Sequence, residues 1–98
     1  MSGAAEAAIG TVKRTLAIAN KRGLHARAAA KFVRTAGQFD ANVRVSFKGQ
    51  EVSGLSIMGL MMLAAGVGSS IELSCSGRQA GEAMTALSAL VESKFGED

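Results

Sequence analysis

The sequence contains no tryptophan, tyrosine or proline, and it has a single cysteine and a single histidine. Nucleic-acid-binding proteins usually combine clustered basic residues with aromatic ones, whereas the basic residues here are scattered, so nucleic-acid binding is the weakest candidate function. The lone Cys75 cannot form an intramolecular disulfide, which fits a reducing compartment. We therefore expect a cytoplasmic protein. The absence of proline carries no functional information.

The sequence also lacks a recognisable targeting segment. Residues 1–10 are rich in alanine and glycine, without the basic start and the long apolar run of a secretion signal. We interpret residues 1–11 as a flexible tail and residues 12–98 as one domain. The stretch from Val52 to Ile71 has no charged residue, but glycine and serine interrupt it repeatedly, so we predict short soluble elements there and no membrane insertion.

The size of the chain, 98 residues, fits one domain with a modest core. Aromatic residues make up only 4% of the chain, so this core must be built from aliphatic side chains, methionine, alanine and four phenylalanines. Because a small domain buries a limited fraction of its surface, we expect a functional site on the surface rather than in a deep cleft. The formal charge of +3 mildly favours acidic partners.

Hydrophobic periodicity predicts the element order β-α-β-β-α-β-α. The predicted strands lie at residues 12–18, 43–47, 50–53 and 71–75. The predicted helices lie at residues 25–36, 56–63 and 80–95. Gly37 is expected to cap the first helix in a left-handed conformation, and Phe95 is the last apolar residue on the stripe of the third helix. One amphipathic sheet with helices on one face is a two-layer α+β fold.

The single histidine, His25, lies at the predicted start of the first helix. Gly23 lets the chain turn sharply into that helix, whose first backbone N–H groups have no partner and can bind an anion. Arg27 adds a planar guanidinium suited to phosphate oxygens. An imidazole in these surroundings can accept a phosphoryl group, because that reaction needs mainly positioning and charge stabilisation. On its own, a lone histidine is more often a surface or capping residue, so a second motif is needed to support a functional role for His25.

Two segments together supply that motif. Residues 23–29 read GLHARAA and residues 56–61 read SIMGLM, and the pair, with its spacing, resembles the histidine phosphocarrier protein HPr of the bacterial phosphotransferase system. The resemblance covers the chain after the N-terminal tail. It implies an open-faced β-sandwich, in which a four-stranded antiparallel sheet carries three helices on one face.

The resemblance implies a role for each residue of the first motif. His25 would be phosphorylated on Nδ1 by enzyme I, a phosphoenolpyruvate-dependent phosphotransferase, and would pass the group to enzyme II A-type domains. Arg27 would steady the phosphoryl group. The chain would then be a carrier and not an enzyme, without a cofactor or a metal, and we expect a monomer.

The second motif matches a regulatory and docking region of that family. Ser56 corresponds to a serine that HPr kinase/phosphorylase modifies in bacteria that have this enzyme, although a plain helix cap would equally explain a serine there. The resemblance places Ile57, Met58 and Met61 on a docking surface, and Arg34 adds a basic rim for acidic partners. The full set of expected partner-binding residues is Ala26, Arg27, Ala30, Arg34, Ile57, Met58 and Met61. If the short helix is instead core, its methionines would be buried. We expect Leu60 and Leu63 to be buried, and Met58 and Met61 to be exposed.

Three positions depart from the commonest family pattern. Ala28 stands where many members have proline, Leu55 replaces a frequent lysine, and Arg22 replaces a small polar residue. Sugar uptake and the nitrogen-related regulatory branch both stay open, and these departures favour the second slightly. A small phosphatase is an alternative from another class, but it would need to activate water, and no carboxylate accompanies His25 in its motif.

Overall fold

The computed structural model of the chain describes residues 11–97, whose element order β-α-β-β-α-β-α agrees with the hydrophobic periodicity. The strands are β1 (Thr11–Ala17), β2 (Asn42–Phe47), β3 (Gln50–Ser53) and β4 (Ser70–Ser76). The helices are α1 (Ala26–Ala36), α2 (Ile57–Met62) and α3 (Ala80–Glu92), and a short 3-10 turn, Lys94–Gly96, follows α3. β1 begins one residue before the predicted domain boundary, and the rest of the predicted tail, residues 1–10, lies outside the described residues.

The four strands form one antiparallel sheet in the order β1-β4-β2-β3. β4 lies between β1 and β2, so that Ile71 pairs with Leu16 and Cys75 pairs with Val43. All four side chains are buried, because alternate residues of a strand point to the same face of the sheet. The three helices lie on that face, which gives the open-faced α+β sandwich expected from the sequence.

The buried face of α1 consists mostly of alanine, and its one large side chain lies next to the end of β3. The buried face of α1 carries Ala28, Ala29, Phe32 and Ala36. Phe32 is fully buried, and the end of β3 passes close to its ring at Gly54. A Cβ atom on Gly54 would lie 3.2 Å from Cε1 of Phe32 and 2.4 Å from Cγ1 of Val43, so only glycine fits there.

Two helix ends differ from the sequence-based expectation. Gly37 has φ −70° rather than a left-handed value, because the chain continues in right-handed turns, in which the N–H of Gly37 donates to Val33 O at 2.9 Å. The predicted extension of the third helix to Phe95 is also wrong. α3 ends at Glu92, and the chain turns back through left-handed residues at Lys94 and Phe95, with φ 61° and 57°. The side chain of Phe95 is nevertheless fully buried.

The uncharged stretch from Val52 to Ile71 contains the end of β3, the short α2 and the start of β4. Within residues 11–97, every helix is too short or too polar to reach across a bilayer.

Replacing Phe32 by alanine should lower the free energy of unfolding by about 3–5 kcal/mol, since it removes a large buried ring and leaves a cavity. Urea unfolding followed by circular dichroism measures the loss. Val67→Ala is the control, because Val67 is an exposed side chain in a loop and its removal should change stability by no more than about 0.5 kcal/mol. Equal losses in the two variants would contradict this assignment of the core.

Candidate functional site

His25 is the residue that precedes the first turn of α1. Its backbone is extended, with φ −75° and ψ 179°, while its carbonyl already accepts the first helical hydrogen bond, from the N–H of Ala29 at 2.8 Å. Its imidazole makes no capping hydrogen bond to the helix. The ring is therefore available for another role beside the unpaired N–H groups of the first helical turn.

The turn before His25 depends on glycine at position 23. Gly23 has φ +64°, and a Cβ atom there would lie 2.5 Å from the carbonyl oxygen of Ala65 and 2.8 Å from Cα of Gly66. The same carbonyl accepts a hydrogen bond from the N–H of Leu24 at 3.1 Å. The loop after α2 thus fixes the start of α1, and with it the position of His25.

A carboxylate that the sequence motif does not contain lies against the histidine. Oε2 of Glu97 forms a hydrogen bond with Nε2 of His25, and the side chains of His25 and Glu97 are 14% and 15% exposed. The two residues are 72 positions apart in the chain. No local pattern signals this contact, which explains why sequence reasoning missed it.

Further hydrogen bonds hold the side chain of Glu97 and the backbone near it. The buried side chain of Asn20 donates from Nδ2 to Oε1 of Glu97 at 3.1 Å and to the carbonyl of Gly23 at 2.9 Å. Nζ of Lys31, on α1, donates to the carbonyl of Phe95 at 2.6 Å. Asn20 and Lys31 are therefore structural members of the site that were also absent from the sequence-based set.

These contacts lower the pKa of the Glu97 carboxyl below its ordinary value. The hydrogen bond from His25 is the largest cause. The hydrogen bond from Asn20, the charge of Arg22 and the charge that His25 carries when its ring is protonated act in the same direction, and partial desolvation opposes them. Glu97 is therefore a carboxylate at neutral pH.

The arginines on α1 lie at opposite ends of the helix. Arg27 is exposed in the first turn, two residues after His25, and Arg34 is exposed in the last turn. Between residues 11 and 97, no hydrogen bond or ion pair holds the guanidinium of Arg27. It is free to reach a phosphoryl group on the ring.

α2 separates its apolar side chains as the sequence predicts. Leu60 and Leu63 are buried, whereas Ile57, Met58 and Met61 are exposed. Ser56 caps the helix, and its Oγ accepts from the N–H of Gly59 at 2.8 Å. The sequence-based set omitted three further exposed apolar side chains in or near α2: Leu55, Met62 and Val67.

α1 and α2 pack side by side in opposite directions. The end of α2 meets the start of α1 where Gly23 contacts Ala65, and Leu55, just before α2, lies beside Gly37 at the end of α1. The 11 residues of α1 span about 16 Å at 1.5 Å per residue. His25 and Ser56 therefore lie at opposite ends of one surface and do not touch.

Comparison with known proteins identifies the family. A family model described as the PTS HPr component phosphorylation site matches residues 12–93. The chain belongs to this family. The phosphocarrier protein HPr of Cupriavidus necator is 50% identical over 86 residues, which are 88% of this chain and 97% of that protein. The phosphocarrier protein NPr of Shewanella violacea is 42% identical over 86 residues, which are 88% of this chain and 94% of that protein.

A solved structure agrees with the fold described above. The crystal structure of HPr-C-His from Thermoanaerobacter tengcongensis superimposes with a TM-score of 0.85 at 45% identity, covering 89% of this chain and 98% of that one. The expectation of an HPr-like open-faced sandwich is confirmed.

Replacing Gly23 by alanine should destabilise the fold and displace His25, because the new Cβ would collide with the backbone of Ala65. Gly49→Ala is a matched control, since Gly49 also has a positive φ, +81°, but has no atom within 4 Å of a Cβ. Both variants incur a left-handed backbone cost of about 1–2 kcal/mol, and only Gly23→Ala adds a steric clash. Urea unfolding and the His25 ring resonances measure the difference, and equal effects would contradict a role for the close approach.

The Glu97 carboxyl should titrate at higher pH in His25→Ala than in the wild type, because its main hydrogen bond is lost. Since the pKa is lower in the folded than in the unfolded chain, the contact adds stability above the ordinary glutamate range. That stability is lost as the pH falls through the lowered folded value. Side-chain carboxyl carbon NMR measures both titrations, with the exposed Glu82 as an internal reference. Identical Glu97 titrations in both proteins would contradict the contact.

Proposed function

We propose that this chain accepts a phosphoryl group on His25 from enzyme I and passes it to enzyme II A-type domains. Its family supports a phosphocarrier role in the phosphotransferase system. The observation that carries the residue assignment is the position of His25 at the start of α1, where its ring makes no capping bond and the first helical N–H groups are unpaired. Those donors and the helix dipole favour a negative charge at this point.

Arg27 stabilises the phosphoryl group in this proposal. Its exposed guanidinium lies in the same turn as His25 and has a planar set of donors that matches phosphate oxygens. Phosphoryl transfer needs positioning and charge stabilisation more than covalent chemistry from the protein, and this pair of residues provides both.

The partner-binding surface combines basic and apolar side chains. Its residues are Ala26, Arg27, Ala30 and Arg34 of α1 and Ile57, Met58 and Met61 of α2. The exposure of the three α2 side chains supports docking, because methionine adapts to several partners. The arginines favour partners with acidic surfaces.

Ser56 is the proposed regulatory phosphorylation site, for an HPr kinase/phosphorylase where the cell has one. A phosphate adds a charge of about −1.5 to −2 beside the exposed apolar side chains of α2. Since His25 lies at the other end of α1, we infer that this charge acts on docking partners rather than on the imidazole directly.

The chain is proposed to be a cytoplasmic monomer that turns over no substrate alone, in sugar uptake or in nitrogen-related regulation. Similarity to proteins named HPr and to one named NPr leaves both branches open.

The phosphatase alternative again depends on water activation. Glu97 does bring a carboxylate to the site, but it is occupied by Nε2 of His25 and by Asn20, so it does not stand free to activate water.

Intact-mass analysis after incubation with phosphoenolpyruvate and an enzyme I tests the proposal. The wild type should gain one acid-labile phosphate, and His25→Ala should gain none. Thr85→Ala, on the exposed side of α3, should behave as the wild type. Acid lability distinguishes phosphohistidine from phosphoserine at Ser56.

Enzyme I from the sugar and the nitrogen branch should be tried separately, because either could be the donor. Rapid release of inorganic phosphate by the protein alone would favour the phosphatase. No phosphate from either enzyme I, each shown to be active on another carrier, would refute the carrier role.

A further inference from the structure

Glu97 lies beyond residues 12–93, the part of the chain that the family model matches, yet it contacts the one histidine. We propose that Glu97 is a positioning residue: its carboxylate holds the Nε2–H of His25, so that the lone pair of Nδ1 is presented as the phosphoryl acceptor. This inference rests on the proposed carrier function and adds a residue to it.

The chemistry of the contact defines which ring nitrogen carries the hydrogen. An ionised carboxylate can only accept hydrogen bonds, so Nε2 must be the donor in its bond with Oε2 of Glu97. A neutral imidazole with a hydrogen on Nε2 has its lone pair on Nδ1. Within residues 11–97, Nδ1 has no hydrogen-bond partner, so this lone pair is available.

The carboxylate is itself fixed from both sides, as a positioning group must be. Oε1 accepts from the buried Asn20, which also binds the carbonyl of Gly23 in the turn leading to His25. On the other side, Phe95 is buried in the core, and Lys31 binds its carbonyl. The N–H of Glu97 donates to the carbonyl of Lys94 at 2.9 Å, which orients the backbone of Glu97. Asn20 therefore contacts both the turn that leads to His25 and the carboxylate of Glu97.

The transfer step balances without moving a proton from the ring. The Nδ1 lone pair forms a bond to phosphorus while the bond from phosphorus to the donor atom of phosphorylated enzyme I breaks, and that donor atom keeps the electron pair. The His25 ring keeps its hydrogen on Nε2 and gains positive charge. The Glu97 carboxylate lies against that nitrogen, so it stabilises the charge as it develops.

Nitrogen-15 NMR of the unphosphorylated histidine ring tests the positioning role apart from phosphoryl transfer. In the wild type, the neutral form of the ring should carry its hydrogen on Nε2 alone. In Glu97→Ala, a second form with the hydrogen on Nδ1 should become detectable. In Glu97→Gln, the amide oxygen still accepts a hydrogen bond, so the wild-type form should persist. Glu92→Gln, an exposed residue at the end of α3, is the matched control.

Rates of phosphoryl acceptance from phosphorylated enzyme I provide the second readout. Glu97→Ala should be slower by about tenfold, which is the lower end of the loss found when the carboxylate partner of a metal-ligating histidine is removed. Glu97→Gln should recover part of that loss, because it restores orientation without the charge. Glu92→Gln should match the wild type.

The two readouts separate the possible failures. Unchanged ring protonation and an unchanged rate in Glu97→Ala would overturn the positioning role. Loss of stability in Glu97→Ala with an unchanged ring would also overturn it, since the residue would then be merely structural. If the ring forms differ as expected but no enzyme I phosphorylates the wild type, the carrier function fails while the control of the ring by Glu97 is supported.

Discussion

The close approach of Gly23 to the loop after α2 determines where α1 begins, and the arrangement of the site follows from it. No side chain fits between position 23 and the backbone of Ala65 and Gly66. The hydrogen bond from Leu24 to Ala65 then directs the chain into α1 with His25 as its first flanking residue. The same contact sets the end of α2 against the start of α1, so the two helices run in opposite directions along one surface.

The turn that follows α3 contains strained backbone conformations, and burial of Phe95 and polar contacts stabilise it. Left-handed conformations at Lys94 and Phe95 cost about 1–2 kcal/mol each. Burying the ring of Phe95 contributes about 1.5–3 kcal/mol, which is comparable to that cost rather than well above it. The hydrogen bonds of Lys31 and Asn20 therefore matter to the turn, and the contact between Glu97 and His25 is coupled to the packing of the core.

Hydrophobic periodicity was sufficient to predict the elements, because a half-buried strand and an amphipathic helix leave different patterns in the sequence. It also separated the buried Leu60 from the exposed Met58. The same reasoning failed at Phe95, which follows Val91 by four residues and so has the spacing of a continuing helix. A tight turn after α3, and not a continuing helix, places the side chain of Phe95 in the core. Periodicity reports which side chains are buried and not which backbone path buries them.

The site was predictable only where its residues are close in sequence. His25 and Arg27 share one turn of helix, so a motif reveals them, whereas Glu97 and Asn20 reach the ring only through the tertiary fold.

The placement of His25 and Ser56 at opposite ends of α1 limits how one could influence the other. The helix α1, beside whose two ends these residues lie, is about 16 Å long, and the Debye length at physiological ionic strength is about 8 Å. Ser56 is half-buried, so solvent would screen part of the effect of a charge there on the imidazole. A docking protein that covers both α1 and α2 would exclude solvent from the surface between them and meet both ends at once. A bound partner is therefore a more direct route than the carrier itself by which a phosphate on Ser56 would affect transfer at His25.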